Sequence, residues 1–177
     1  MNSRVYLSPI GQNHIFHLIG FSNDPELIET MGWIPFQPNE GKRFLRTIGV
    51  ITLPDAGSGS PKIFCIITHQ NNTPIGYVTL KGLNKVTGKA ELGIAIMDRK
   101  FRSGGYGTGA LMLAADHGFN SMHLLSLGLT VFPSNTRAIK AYKKVGFEKI
   151  DILKRSWTMP SGKKVDMILM ELNNKAY

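Results

Sequence analysis

Residues 99–119 read RKFRSGGYGTGALMLAADHGF and contain the feature from which the fold can be worked out. Glycines cluster at the start of this stretch, and the apolar residues that follow have helical length and spacing. Arg99, Lys100 and Arg102 place positive charge in front of the glycines. Such a turn ahead of a helix is typical of a phosphate site, because the first amides of a helix have no partner within it. The stretch therefore predicts an anion-binding turn that leads into a helix.

The segments on both sides of this turn indicate a mixed sheet. Before it, the runs KIFCIITHQ (62–70), PIGYVTLKGL (74–83) and KAELGIAIM (89–97) are separated by turn-forming Asn, Pro and Gly. They predict an antiparallel meander. After the helix, LLSLGLTVF (124–132) has strand composition. A strand, a helix and a strand require a crossover, which makes the flanking strands parallel if they are neighbours.

The remaining elements complete an α/β (α+β) fold with flanking helices. Helical turns are expected over residues 11–33, interrupted near Asn23 and Pro25, over residues 40–50, and over Thr136–Val145, where Gly146 ends the helix. The runs RVYLSPI (4–10), EKIDILKRSWTM (148–159) and KKVDMILMEL (163–172) are strands, and residues 54–61 form a flexible loop. The prediction is a mostly antiparallel sheet of about seven strands with a central parallel pair.

Length and composition place the chain among globular proteins. With 177 residues and 42% hydrophobic content, residues 1–177 are expected to form a single domain. The one cysteine, Cys65, lies in an apolar run and predicts a buried thiol. No leader peptide or membrane-spanning stretch is recognisable, which favours the cytoplasm.

The positive charge is unevenly distributed along the chain. Residues 1–98 contain 8 basic and 7 acidic residues, whereas residues 99–177 contain 13 and 5, and the net charge is +9. Such an excess fits nucleic acid, an anionic membrane or a phosphorylated ligand. The cations are dispersed and not interleaved with aromatic residues, so a small phosphorylated ligand explains them at least as well. We expect neither a nucleic-acid nor a membrane partner.

Three phosphate-binding designs compete for the glycine-rich turn. The nucleoside-triphosphate loop requires Gly-Lys-Ser/Thr, which the chain lacks. The dinucleotide fingerprint is matched by Gly105, Gly107 and Ala110, but no acidic residue follows about 20 residues later to bind a ribose. The third design needs only backbone amides at a helix N-terminus, which favour a pyrophosphate.

Two motifs resemble the GCN5-related N-acetyltransferases, the GNAT family. RSGGYG (102–107) is similar to the family signature R/Q-x-x-G-x-G/A, and PSNTRAIKAYKKVGF (133–147) to its N-x-x-A-x-x-x-Y-x-x-x-G-F segment. The order of the strands agrees as well. The closing hairpin (159–172) resembles the branch that modifies ribosomal-protein N-termini and polyamines.

The resemblance implies a cofactor, acetyl-CoA, and residues that bind it. Its pantetheine arm is expected along the strand before the turn, at free backbone groups of Ile96 and Met97. Asn135 is expected near the pantetheine and the sulfur. The expected pyrophosphate site comprises the loop residues Arg102, Ser103, Gly104, Gly105, Tyr106, Gly107 and Thr108.

The resemblance also implies direct acetyl transfer to a primary amine, which a base must first deprotonate, since an alkylammonium has a pKa of about 10. Glu91 is the candidate base, with a solvated strand carboxylate as an equally weighted alternative. Tyr142 matches the tyrosine that protonates the departing thiolate, although it also lies on the apolar stripe of its helix. The alternative to an enzyme is a non-catalytic protein that binds CoA as a sensor or as an interaction module.

The acceptor amine is less well defined by the sequence. A protein N-terminus, a polyamine, an amino sugar and other small amines all remain open. Asp24, Glu26 and Glu29 form an acidic cluster that would suit a cationic amine, with Trp33 and Phe36 as its walls, or else are acids favoured at a helix start. The histidines lack further ligands at metal-binding spacing, so no metal is expected. A homodimer is possible by the same resemblance.

Overall fold

The structure is a computed structural model that describes residues 3–176, and these contain seven strands and five α-helices. The strands are β1 (Val5–Pro9), β2 (Lys62–Thr68), β3 (Pro74–Asn84), β4 (Lys89–Ile96), β5 (Ser126–Val131), β6 (Glu148–Thr158) and β7 (Lys164–Asn173). The helices are α1 (Gln12–Ile19), α2 (Pro25–Met31), α3 (Gly41–Ile48), α4 (Tyr106–Asp116) and α5 (Thr136–Val145).

All strands belong to one sheet of order β1-β2-β3-β4-β5-β7-β6. Every neighbouring pair is antiparallel except β4 and β5, which are parallel. The predicted α/β fold, with its mixed seven-stranded sheet and central parallel pair, is confirmed. None of the helices within residues 3–176 has the length and apolar character needed to cross a bilayer.

Local capping explains where two of the helices begin and end. Asp24 precedes α2, and its carboxylate accepts from the backbone N–H groups of Glu26 and Leu27. Asn135 precedes α5 and accepts from the N–H of Ala138 at 3.1 Å. Each cap satisfies amides that a helix leaves without a partner. The predicted bounds of α5 are confirmed, whereas α4 ends at Asp116 and continues as a wider π turn.

Two hydrophobic clusters lie on opposite faces of the sheet, because successive strand residues point to opposite sides. Ala90 and Leu92 of β4 belong to the cluster beneath α4 and α5, whereas Ala95 and Met97 belong to the cluster beneath α1 to α3. The centre of the second cluster is Phe44 of α3, which is fully buried and makes edge-to-face contacts with Phe36, Trp33 and Tyr77. Each such contact adds roughly 1 kcal/mol beyond burial. The sheet thus has helices on both faces.

The parallel pair is short, and this opens the sheet. Lys89–Glu91 pair with Ser126–Gly128, and no pairing follows between the later residues of β4 and β5. Glu91 therefore lies at the point where the two strands separate. Backbone groups beyond this point face a gap instead of a neighbouring strand, which makes the gap a place where an extended ligand can bind.

Candidate functional site

A cavity of about 780 Å³ occupies the gap between β4 and β5 and extends to both faces of the sheet. It is bordered on one side by the glycine-rich turn and α5, and on the other by α2, α3 and the segment before β2. Among the described residues that line it, Glu91 is the only acid. Aromatic side chains contribute much of the second side, namely Trp33, Tyr77, Phe132 and Trp157.

The glycine-rich turn presents backbone amides to this cavity. Gly105, with φ of 82°, lies in the left-handed region that favours glycine and begins α4 without any side-chain cap. Ser103 also has a positive φ, of 65°. The first N–H groups of α4 therefore have neither an intrahelical acceptor nor a capping side chain, so an anion is stabilised there. Gly107 and Thr108 line the cavity at this end.

Two of the predicted loop residues lie away from the cavity lining. The carbonyl oxygen of Gly104 accepts from Arg4 Nη1 at 3.2 Å. The Tyr106 ring contacts the ring of Phe101, at 5.2 Å between centroids, and lies beneath the Arg4 guanidinium. The Gly104 carbonyl and the Tyr106 ring thus support the turn, and only the backbone N–H groups of these two residues are candidates for binding a ligand.

The Arg102 side chain is buried and paired, which contradicts its expected place at the rim of an anion site. Its side chain is 4% exposed, and Nη1 lies 3.1 Å from Asp24 Oδ1 and 2.8 Å from Glu26 Oε2. Nε and Nη2 donate to the carbonyl oxygens of Ile96 and Met97. The cation therefore ties the glycine-rich turn to α2 and to the end of β4. Sequence reasoning missed this because the carboxylates are distant along the chain.

The same ion pairs change the interpretation of the acidic cluster. Arg137 of α5 also pairs with Glu26. Burial by itself would raise the pKa values of Asp24 and Glu26, but hydrogen bonds from Arg102 and its charge outweigh burial and lower both. Both carboxylates are thus paired with arginines and tie α2 to the turn and to α5. Glu29, the third acid of the predicted cluster, is exposed and does not line the cavity. Phe36 is in the core and does not line the cavity, whereas Trp33 does.

The expected pantetheine groups on β4 need correction. The N–H of Met97 donates to Ile75 O at 2.8 Å, and its carbonyl accepts from Arg102, so Met97 has no free backbone group. Strand alternation then turns the polar groups of Ile96 and Ile94 toward the gap. The Ile96 carbonyl is occupied by Arg102 Nε at 3.0 Å. The sequence did not indicate Ile94 as a residue whose backbone faces the gap, because only the paired register of β3 and β4 shows which residues do so.

Two tyrosines and Asn135 lie on the cavity wall. Burial raises the pKa of Tyr142 to about 12, with no hydrogen bond contributing to the shift. Tyr77 of β3 is also buried, and burial together with the nearby Tyr142 phenol raises its pKa well above the usual value. Both phenols therefore stay protonated at neutral pH and are hydrogen-bond donors in the cavity. The side chain of Asn135 is engaged as the cap of α5.

Glu91 is 3% exposed, which excludes a solvated strand carboxylate. One oxygen accepts from the N–H groups of Thr52 and Leu53 at 2.6 and 2.9 Å. The other accepts from Thr52 Oγ1 at 2.7 Å and lies 3.2 Å from Lys81 Nζ. These four donors occupy the acceptor positions of a carboxylate. Glu91 therefore holds the segment before β2 against the mouth of the gap.

The structure shows no metal-binding group in the part of the chain it describes. Within residues 3–176, no three His, Cys, Asp or Glu side chains are close enough together to bind an ion. The cationic side chains that line the cavity are instead arginines and lysines. On the side of α5 these are Arg137, Lys140 and Lys144.

Comparison with known protein families supports one assignment. Residues 4–148 match the acetyltransferase (GNAT) domain. An uncharacterised N-acetyltransferase, p20, of Bacillus licheniformis is 26% identical over 161 residues, which cover 90% of this chain and 87% of that protein. The spermidine N(1)-acetyltransferase of Escherichia coli K12 is 39% identical over 72 residues, which cover 41% of this chain and 38% of that protein.

Solved structures show the same fold at low sequence identity. A spermidine N-acetyltransferase from Vibrio cholerae, in complex with CoA and spermine, superimposes with a TM-score of 0.80 at 20% identity, covering 99% of both chains. A GNAT-family acetyltransferase from Bacillus anthracis gives 0.81 at 16% identity, covering 98% of this chain and 96% of that one.

Proposed function

Because the chain belongs to the acetyltransferase (GNAT) family and is an N-acetyltransferase, we propose that it moves the acetyl group of acetyl-CoA directly to a primary amine in a ternary complex. The observation that carries the proposal is a single cavity in which three features meet. These are the free amides at the start of α4, the gap between β4 and β5, and the buried Tyr142 phenol. Each corresponds to one part of acetyl-CoA: its pyrophosphate, its pantetheine arm and its sulfur.

In this proposal the glycine-rich turn binds the pyrophosphate of CoA. Backbone amides after Arg102 supply the donors, namely those of Ser103, Gly104, Gly105, Tyr106, Gly107 and Thr108. The N–H of Arg102 itself donates to the carbonyl oxygen of Arg99 at 3.2 Å, so this amide is not a donor to the ligand. Two exposed cations on the cavity wall at α5, Lys140 and Lys144, attract the phosphates from solution. A phosphate site between the glycine-rich turn and α5 accounts for the excess of basic residues in this half of the chain. Nucleic acid is not needed to explain it.

The pantetheine arm then lies along β4 in the gap. Ile94 and Ile96 turn backbone groups toward it, and Asn135 borders the same space. In this position the arm replaces the strand that β4 lacks beyond Glu91. The thioester is thereby directed toward Tyr142, and the acceptor approaches from the side of α2 and α3.

An alkylammonium acceptor must lose two protons from its nitrogen, one before it attacks and one as the amide forms, and one proton must reach the sulfur. A neutral amine adds to the thioester carbonyl carbon, the tetrahedral intermediate loses the thiolate, and the amide forms. We propose that Tyr142 donates its hydroxyl proton to the departing sulfur and regains the proton that the nitrogen loses as the amide forms. Glu91 is the proposed acceptor of the amine proton, although its saturated contacts prevent the amine from touching it directly.

The charges of the cavity favour an amine without a second cation. Glu91, its only acidic lining residue among those described, is already paired with Lys81. Asp24 and Glu26 are paired with arginines. A second ammonium group would therefore lose its water without gaining a partner, which is costly. Trp33, Trp157 and Phe132 instead offer apolar surface, so we propose an acceptor whose amine is attached to an aromatic or apolar group.

A binding and turnover experiment tests this function. Calorimetry is expected to show one CoA site, and acetyl-CoA with phenethylamine is expected to release free thiol. Spermidine is expected to give a kcat/KM at least about 10-fold lower, since an unpaired buried charge costs more than 1.4 kcal/mol. No CoA binding would refute the cofactor, whereas faster turnover of spermidine would refute only the acceptor class.

A further inference from the structure

Two threonine hydroxyls connect the buried Glu91 carboxylate to the gap between β4 and β5. Thr52 Oγ1 donates to Glu91 Oε1 at 2.7 Å and lies 2.8 Å from Thr130 Oγ1. Both threonines are half-buried and line the cavity. Thr130 is on β5 beyond its last residue paired with β4, so its side chain borders the opened part of the sheet. Thr130, Thr52 and Glu91 thus form a continuous chain that begins in the cavity.

The direction of the hydrogen bonds in this chain follows from the number of protons. A threonine hydroxyl has one hydrogen and two lone pairs. Because the hydrogen of Thr52 goes to the Glu91 carboxylate, Thr52 can only accept from Thr130, and Thr130 must be the donor of the second bond. The hydrogen of Thr130 therefore points away from the cavity. An acceptor lone pair remains on Thr130 Oγ1, which suits an ammonium N–H.

We propose that Thr130 is the catalytic residue that takes the proton from the acceptor amine and passes it through Thr52 to Glu91. This rests on the function proposed above. As an ammonium proton bonds to Thr130 Oγ1, the Thr130 proton moves to Thr52 Oγ1 and the Thr52 proton moves to Glu91 Oε1. One N–H bond breaks and one O–H bond forms at Glu91. The amine becomes neutral, both threonines end as hydroxyls, and no further reactant is needed.

The contacts of Glu91 suit the end of such a relay. Its carboxylate cannot reach the substrate, because two backbone amides and Lys81 hold it in place. Gly128, opposite Glu91 on β5, lets the Thr52 segment come this close, since a Cβ there would lie 2.7 Å from Leu53 Cδ1. The other titratable side chains that line the cavity are Arg43 of α3, Tyr77 and Lys81 of β3, Arg102 after β4, and Arg137, Lys140, Tyr142 and Lys144 at α5.

The matched variants Thr130→Val and Thr130→Ser test the relay with phenethylamine as the acceptor. Valine keeps the shape and removes the hydroxyl, so kcat/KM at pH 7 is expected to fall about 100-fold, the lower end of the range for proton-transfer groups. The remaining rate should rise tenfold per pH unit toward the amine pKa of about 10, because only neutral amine then reacts. Serine should restore the wild-type rate and pH profile. Thr52→Val should reproduce the Thr130→Val profile.

The result that overturns the relay is a Thr130→Val enzyme with wild-type kcat/KM and an unchanged pH profile. CoA affinity, measured by calorimetry, should be the same in all variants, which separates loss of the relay from loss of folding. If the wild type turns over no amine, the proposed acceptor class fails, and a crystal of the CoA complex soaked in phenethylamine decides the relay. The relay then requires the amine nitrogen within hydrogen-bond distance of Thr130 Oγ1, and any other position contradicts it.

Discussion

Replacing Tyr142 with Phe is expected to lower kcat about 100-fold while CoA binding stays unchanged. Burial raises the pKa of this phenol to about 12, so it carries its proton at neutral pH. A thiolate leaving inside the same protein is also desolvated. A proton donated by the phenol as the carbon–sulfur bond breaks avoids a buried thiolate, and this assists departure of the sulfur.

The control for this variant is Tyr6→Phe. Tyr6 is on β1, at the edge of the sheet, and its hydroxyl donates to Asn72. Its loss should leave kcat unchanged. A second measurement is the pH dependence of kcat, which should show no decrease from ionisation of Tyr142 below about pH 11. Wild-type kcat in Tyr142→Phe would exclude the phenol as the acid and leave it as a core residue.

Replacing Arg102 with Met is expected to destabilise the folded protein by about 2 to 3 kcal/mol. Removing one partner of a buried ion pair typically costs 3 to 5 kcal/mol because the other charge is left unpaired. The lower value applies here because the Glu26 side chain is 36% exposed and partly hydrated. Urea unfolding measures the change. Arg99→Met is the matched control, since it removes a cation from an exposed neighbouring position and should cost less than about 0.5 kcal/mol.

The same variant should bind CoA about 10-fold more weakly, because Arg102 anchors the glycine-rich turn to α2 and to the end of β4. If instead Arg102 only attracted phosphate from an exposed position, CoA affinity would fall without loss of stability. Calorimetry and unfolding on one preparation distinguish the two cases.

Low pH should remove part of the stabilisation that the Arg102 ion pairs with Asp24 and Glu26 give to the fold. The pKa values of Asp24 and Glu26 are lowered in the folded protein from ordinary values of 3.8 and 4.5. Carboxyls shifted downward stabilise the fold above their ordinary pKa, and this contribution is lost as pH falls through the lowered value. The difference in unfolding free energy between wild type and Arg102→Met should therefore be constant above about pH 5.5 and shrink below about pH 4. A constant difference down to pH 2.5 would contradict the pairing.

Some features of the site follow from residues that are neighbours along the chain. The glycine-rich turn precedes its helix directly, and Asn135, Tyr142 and Gly146 share one helix and its two ends. Short-range geometry decides such features, since the caps and the helical period fix the positions of residues only a few places apart. The sequence by itself therefore determined the order of the elements, the mixed sheet and the likeness to the GNAT family.

The pairing of charges and hydroxyls was decided only by the tertiary structure. Arg102 lies 78 residues from Asp24, Thr52 lies 39 residues from Glu91, and Thr52 and Thr130 are again 78 residues apart. No local pattern indicates which of many acids an arginine will meet, or that a strand glutamate will be closed off by a loop. The contacts exist because the strands separate at Glu91 and Gly128 and let the segment before β2 close on the opening. Side-chain chemistry at that opening depends on how elements distant in sequence pack together. The spacing of residues along the chain does not reveal this packing.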